Sequence, residues 1–164
     1  MKYLWSPWRM KYISKAEKEP GCVFCNALAQ PTDSPHNLVV MRGERAFVIL
    51  NKFPYTSGHL MVAPLAHQPT FEALDAPTRA EIMELTTLFT TVLRRVYNPQ
   101  AFNIGANLGE AAGAGVPGHV HMHIVPRWAG DTSFMTTLDE TRVLPEGLED
   151  TYQRVRDAWA ALQR

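Results

Sequence analysis

His119-Val120-His121-Met122-His123-Ile124-Val125 places three of the chain's six histidines within five positions, each separated from the next by an apolar residue. Side chains of a β-strand alternate between its two faces, so this run reads as a strand carrying His119, His121 and His123 on one face and Val120, Met122 and Ile124 on the other. Each buried imidazole needs a polar partner, and a row of three costs stability unless it binds or reacts with something. Two readings follow: a metal site built from the row, or a histidine nucleophile with helpers.

Outward from this run, the strand ends at Pro126 and is preceded by a loop, Leu108 to Gly118, that holds Gly109, Gly113, Gly115 and Gly118. Ala101 to Asn107 reads as a strand. Between Pro77 and Tyr97, Ile82, Leu85, Phe89, Val92 and Val96 recur at helical spacing, with a stop at Asn98-Pro99. A last helix is expected from about Glu146 to Leu162, with Leu148, Tyr152, Val155, Trp159 and Leu162 on one face. Leu38 to Met41, Ala46 to Asn51 and Leu60 to Pro64 read as strands joined by short turns, and Cys22 to Ala29 as a short helical segment. Strands adjacent in sequence and joined by tight turns make an antiparallel sheet with helices against it, an α+β architecture.

The chain has 164 residues, 46% hydrophobic and 20% charged, which suits one compact domain with a real core. Sixteen basic and sixteen acidic residues cancel, so the electrostatic footprint of a protein that binds long nucleic acid is missing. No apolar run is long enough to cross a membrane and no signal-peptide core opens the chain, so a soluble, cytoplasmic protein without a membrane partner is expected. Residues 1–21 form an extension rich in Trp5 and Trp8, suited to docking on the domain or on a neighbouring subunit, and residues 22–164 form the domain itself. The two cysteines, Cys22 and Cys25, are half a metal site, a redox pair or core thiols.

The run from His119 to Val125 fits the signature of the histidine triad (HIT) family, His-φ-His-φ-His-φ-φ with φ apolar, at every position. LNKFPYTSGHLMVAPLAH (Leu50 to His67), NLGEAAG (Asn107 to Gly113) and PRW (Pro126 to Trp128) extend the resemblance from Cys22 to about Phe134. The amino-terminal WSPWRMKY and the PRW tail are similar to a bacterial subgroup related to dinucleoside polyphosphate hydrolases and phosphorylases. The resemblance implies the HIT fold, a sheet of about five antiparallel strands with two main helices, and a homodimer in which two sheets join.

It also implies roles. His121 is the nucleophile that attacks the α-phosphorus of a nucleotide, with its other ring nitrogen donating to the main-chain carbonyl of His119. His123 holds phosphate oxygens, and backbone amides of the glycine loop, Gly113 among them, add donors. Asn51 matches a position that bonds ribose hydroxyls, although it equally suits a strand-ending turn. Asn107 matches an amide that contacts phosphate. Phe24 and Ile49, with Leu28, offer apolar slabs to a purine and serve a plain core equally well. His59 falls near the site and also suits a structural hydrogen-bonding role.

Cys22, Cys25, His67 and His119 resemble the structural zinc site of many bacterial members, and the spacing of the two histidines excludes a DNA-reading zinc finger. The mechanism implied requires no catalytic metal. One departure bears on substrate: where hydrolases of the family carry Gly-Gln-Ser/Thr, this chain has Ala114-Gly115-Val116, which leaves room for phosphate as acceptor. The leading expectation is a nucleotidyl hydrolase or transferase acting on dinucleoside polyphosphates, adenine ones foremost. Phosphorolysis, phosphoramidate hydrolysis and a zinc-stabilised nucleotide-binding module are the competing readings.

Overall fold

The computed structural model describes residues 20–131 and 145–163. The Trp-rich segment at positions 1–19 lies outside the described residues. The elements in chain order are α1 (Val23–Leu28), β1 (Val39–Arg42), β2 (Ala46–Leu50), β3 (Leu60–Pro64), α2 (Ala76–Tyr97), β4 (Ala101–Gly105), β5 (Met122–Arg127) and α3 (Leu148–Leu162). The five strands form one antiparallel sheet in the order β1-β2-β3-β5-β4, so β5 enters between β3 and β4.

Cross-strand register assigns the two faces. Ile49, Met61, His123 and Gly105 are successive partners across β2, β3, β5 and β4 and share a face. Leu50, Leu60 and Ile124 share the other, which packs on α2. That helix forms where expected: the Asp75 carboxylate caps it by accepting from the Thr78 N–H at 2.9 Å, Pro77 lies in its first turn, and Asn98 ends it in the left-handed region. Ile82, Leu85, Phe89, Val92 and Leu93 are its buried face. Against β1, α3 buries Tyr152 and Val155, with the Tyr152 hydroxyl donating to the Val39 carbonyl at 3.0 Å.

Several boundaries differ from the sequence reading: β1 is Val39–Arg42 rather than Leu38 to Met41, β4 ends at Gly105 rather than Asn107, and the last helix and the histidine strand start late. Helix α3 starts at Leu148 because the Glu146 side chain is engaged elsewhere, accepting from the hydroxyls of Tyr97 and Thr151 and from Arg154 at 2.6 Å. The histidine strand starts at Met122, not His119. Its pairing with β3 ends at Val62–Met122, and the segment ahead of Met122 instead bonds the returning loop, Val120 N–H to Gln68 carbonyl at 2.7 Å. The histidine row survives that change. The rings of His121 and His123 are 4.8 Å apart, and Phe24 touches both His119 and His121, at 5.1 and 4.9 Å.

Candidate active site

His121 is 4% exposed, and its Nδ1 is 2.8 Å from the main-chain carbonyl of His119. A carbonyl only accepts, so Nδ1 carries the proton and Nε2 keeps the lone pair. Burial also holds this imidazole below the ordinary histidine pKa. The ring is therefore neutral near pH 7, with its nucleophilic nitrogen selected by one hydrogen bond.

His123 receives the opposite polarity through His59. The backbone N–H of Tyr55 donates to His59 Nδ1 at 3.1 Å, which leaves the His59 proton on Nε2. That nitrogen is 2.9 Å from His123 Nδ1 and donates to it, so His123 keeps its own proton on Nε2. Burial, and secondarily His121, hold the His123 pKa down at about 4. Two neutral imidazoles thus sit side by side, one presenting a lone pair and the other an N–H donor. His59 itself is fully buried. Its link to His123 was beyond the sequence pattern, because the two residues stand 64 positions apart and meet only through the pairing of β3 with β5.

The turn before His59 is shaped for this relay. Gly58 has φ +77°, and a Cβ there would lie 2.8 Å from Tyr97 Cε2 and 3.0 Å from Leu93 Cδ2. Gly58→Ala is expected to lose about 1–2 kcal/mol from the left-handed backbone alone, with the overlap adding to it. Urea denaturation measures this, and a variant as stable as the parent would show that the turn relaxes freely.

Cys22, Cys25, His67 and His119 converge at the other end of the row, their ligand atoms all within 4.8 Å of one another. Zinc with bonds of about 2.3 Å to sulfur and 2.05 Å to nitrogen in a tetrahedron sets each S···N separation near 3.6 Å. The separations found are 3.4 Å for Cys22–His119, 3.7 Å for Cys25–His119 and 3.4 Å for Cys25–His67. His119 Nε2 donates to the Pro64 carbonyl at 2.8 Å, which leaves Nδ1 free of its proton and aimed at the sulfurs. The quartet fits a tetrahedral zinc ion.

Beside His123 the open face of the sheet forms a cavity of about 620 Å³, lined also by Tyr55, Asn103, Gly105, Asn107 and Arg127. Asn107 Nδ2 donates to the Gly113 carbonyl at 3.4 Å and closes the glycine loop, in which Gly113 is left-handed at φ +86°. Ala112, not Gly113, is the loop residue at the cavity wall. Asn51 accepts from the Phe53 N–H at 2.9 Å, the side-chain geometry of a strand-ending turn, and its amide nitrogen stands 3.4 Å from His59 Nδ1. Phe24 and Ile49 are 2% and 6% exposed, so they form the wall behind the histidines and offer a base little free edge. Arg127 and Asp131 were not singled out in sequence. The guanidinium grips the Asp131 carboxylate at 2.5 and 2.8 Å and donates to Asn103 Oδ1 at 2.6 Å. Counting two and four residues on from His123 places Val125 and Arg127 on the same face, which was the available signal.

Residues 33–130 match the family model described as HIT domain. The chain is 38% identical over 163 residues to a Mycobacterium tuberculosis protein named AP-4-A phosphorylase, a match covering 96% of this chain and 84% of that one. It is 37% identical over 101 residues to the bis(5'-nucleosyl)-tetraphosphatase (asymmetrical) of Schizosaccharomyces pombe, covering 58% and 52% of the two chains. Among solved structures, a zinc-bound histidine triad family protein from Mycobacterium smegmatis superposes with a TM-score of 0.70 at 28% identity, covering 87% of this chain and 96% of the other.

Proposed function

The chain belongs to the HIT domain family, and from that premise we propose that it cleaves dinucleoside polyphosphates, adenine ones foremost, through a covalent nucleotidyl-His121 intermediate. The observation that carries this reading is the hydrogen bond from His121 Nδ1 to the His119 carbonyl, which leaves Nε2 as a neutral nucleophile. In the first displacement that lone pair forms an N–P bond to the α-phosphorus. The P–O bond to the remaining polyphosphate breaks, and its electron pair leaves with the departing nucleotide. His123 donates its Nε2–H to a phosphate oxygen, where charge builds as the bond breaks. In the second displacement an acceptor oxygen attacks phosphorus, the N–P bond breaks, and His121 is restored.

Phosphate is favoured over water as that acceptor. Similarity to a phosphorylase along nearly the whole chain supports this, as does the small-residue run Ala114-Gly115-Val116. Product analysis with diadenosine tetraphosphate decides: ADP and ATP formed only when inorganic phosphate is present identify phosphorolysis, whereas AMP and ATP identify hydrolysis. Asn107 and the amides of the Gly113 loop would hold phosphate oxygens, and Asn51, at the end of β2, the ribose.

Zinc held by Cys22, Cys25, His67 and His119 would cross-link α1, the end of β3 and the start of the histidine row, and takes no part in the displacements. No helix among the described residues is long and apolar enough to cross a membrane, and the balance of sixteen basic against sixteen acidic residues argues against a long nucleic-acid partner. A homodimer joined along β4 fits that strand's exposure, since it is an edge strand with Ile104 48% exposed.

The depressed histidine pKa values set the pH dependence. Burial holds both rings below the ordinary histidine pKa, His123 at about 4, so the acid limb of kcat/KM is expected to lie below pH 6.5. Between those limits the unfolded chain takes up a proton that the folded His123 refuses, so stability falls as pH falls across the same window. A pH–rate profile with its acid midpoint at 6.5 or above would contradict the buried pair.

A further inference from the structure

Glycine weakens a β-strand, so one inside a strand calls for a reason: a bulge, a left-handed backbone, a close neighbour in the fold, or the approach of something from outside. Gly105 is the last residue of β4, and the first three reasons are missing. The register from Ala101–Arg127 to Gly105–His123 runs unbroken, so there is no bulge. Gly105 is not one of the glycines with positive φ. A Cβ added to it would meet nothing within 4 Å among the described residues. What remains is the approach of a ligand or of a second chain.

Register fixes where that approach takes place. Gly105 is the cross-strand partner of His123 and shares its face, so the two Cα atoms stand about 5 Å apart. On the other side of His123 the same row continues to Met61 and Ile49, which are buried at 8% and 6% exposure. Gly105 is exposed and lines the cavity beside His123, as does Asn107. A group that starts at His121 and reaches the His123 donor is therefore closed off on the β2–β3 side and open on the β4 side. A strand joining the free edge of β4 would meet it within the plane of the sheet, whereas a side chain at position 105 points out of that plane. The bare position is thus matched to a ligand over the face and not to a neighbouring strand at the edge.

We infer that Gly105 sets substrate specificity: the room left by its missing side chain is where the phosphate chain of the departing nucleotide crosses from His123 over the β4 backbone. This rests on the cleavage of dinucleoside polyphosphates proposed above, and names the residue that lets a bridging chain, not only a single phosphate, lie beside the donor. Any side chain at position 105 would stand in that path.

The test uses AMP, which ends at the α-phosphate, and a diadenosine tetraphosphate analogue with methylene groups in place of its bridging oxygens, which can be bound without being cleaved. Titration calorimetry measures both ligands on wild type, Gly105→Ala and Gly105→Val. The alanine variant is expected to bind the dinucleotide analogue roughly tenfold more weakly and AMP as before, with valine extending the loss. Its melting temperature is expected to equal or exceed that of the parent, because alanine restricts the unfolded chain more than glycine does. Equal weakening of both ligands would make position 105 a mere support for His123, and no change in either would leave the space without an occupant; each result overturns the inference. A change of oligomeric state in sedimentation, with both affinities intact, would give the space to a second chain and overturn it too. The parent reading fails separately: wild-type protein that cleaves no dinucleoside polyphosphate would overturn the cleavage, and the role of Gly105 with it.

Discussion

His121→Ala is expected to lose roughly ten-thousandfold or more in kcat, because it removes the atom that forms the bond to phosphorus. No neighbour can substitute. His123 faces the cavity with a proton on Nε2, and its own Nδ1 is occupied by His59. His119 spends Nε2 on Pro64 and directs Nδ1 at the cysteines. The variant leaves a small void against Phe24, so its melting temperature must be measured alongside its rate. Mass spectrometry of wild-type protein quenched during turnover should find a nucleotidyl group on His121 that the variant lacks. Substantial activity in the variant, or turnover without an adduct, would rule out the covalent route.

The second large effect concerns the metal. Purified protein is expected to carry one equivalent of zinc, which Cys25→Ser or a strong chelator removes. Structural zinc sites contribute on the order of 10 kcal/mol of binding in isolated fingers, so even a part of that is a large share of a domain's stability. A drop of roughly 10 °C in melting temperature is expected, corresponding to about 3–5 kcal/mol in a chain of this size. The rate should fall with it, through geometry. The His119 carbonyl orients the His121 proton, and the side chain of the same residue contacts both cysteines. Loss of zinc therefore loosens the residue that sets the nucleophile's tautomer. Metal-free protein that melts as the parent does, unaffected by chelators, would dismiss the site.

The histidine row and Cys22-x-x-Cys25 were legible in the chain because each is a dense local pattern, whereas His67 and the joining of the four residues into one site came only from the resemblance to the HIT family. Helix α2 was equally plain, since its apolar period, its Asp75-Ala76-Pro77 start and its Asn98 stop all agree. What escaped was non-local. The roles of His59, Tyr55 and Arg127 depend on which strand lies beside which. The order β1-β2-β3-β5-β4 places β5 against a strand some sixty residues earlier, a choice that no window of sequence displays. The start of β5 was misplaced for the same reason. Alternation continues back to His119, but the pairing with β3 stops at Val62–Met122.

That strand order also bears on how the protein is made. Cys22 waits 97 residues for His119, His59 waits 64 for His123, and Thr56 waits 70 for Pro126. During synthesis β3 emerges with one edge unpaired, and β4 follows with no neighbour in the sheet until β5 is inserted between them. Nothing short of that insertion brings His123 beside His59, or His119 beside the two cysteines. A nascent chain stays chemically inert until its last strand is in place, so the onset of activity reports completion of the sheet.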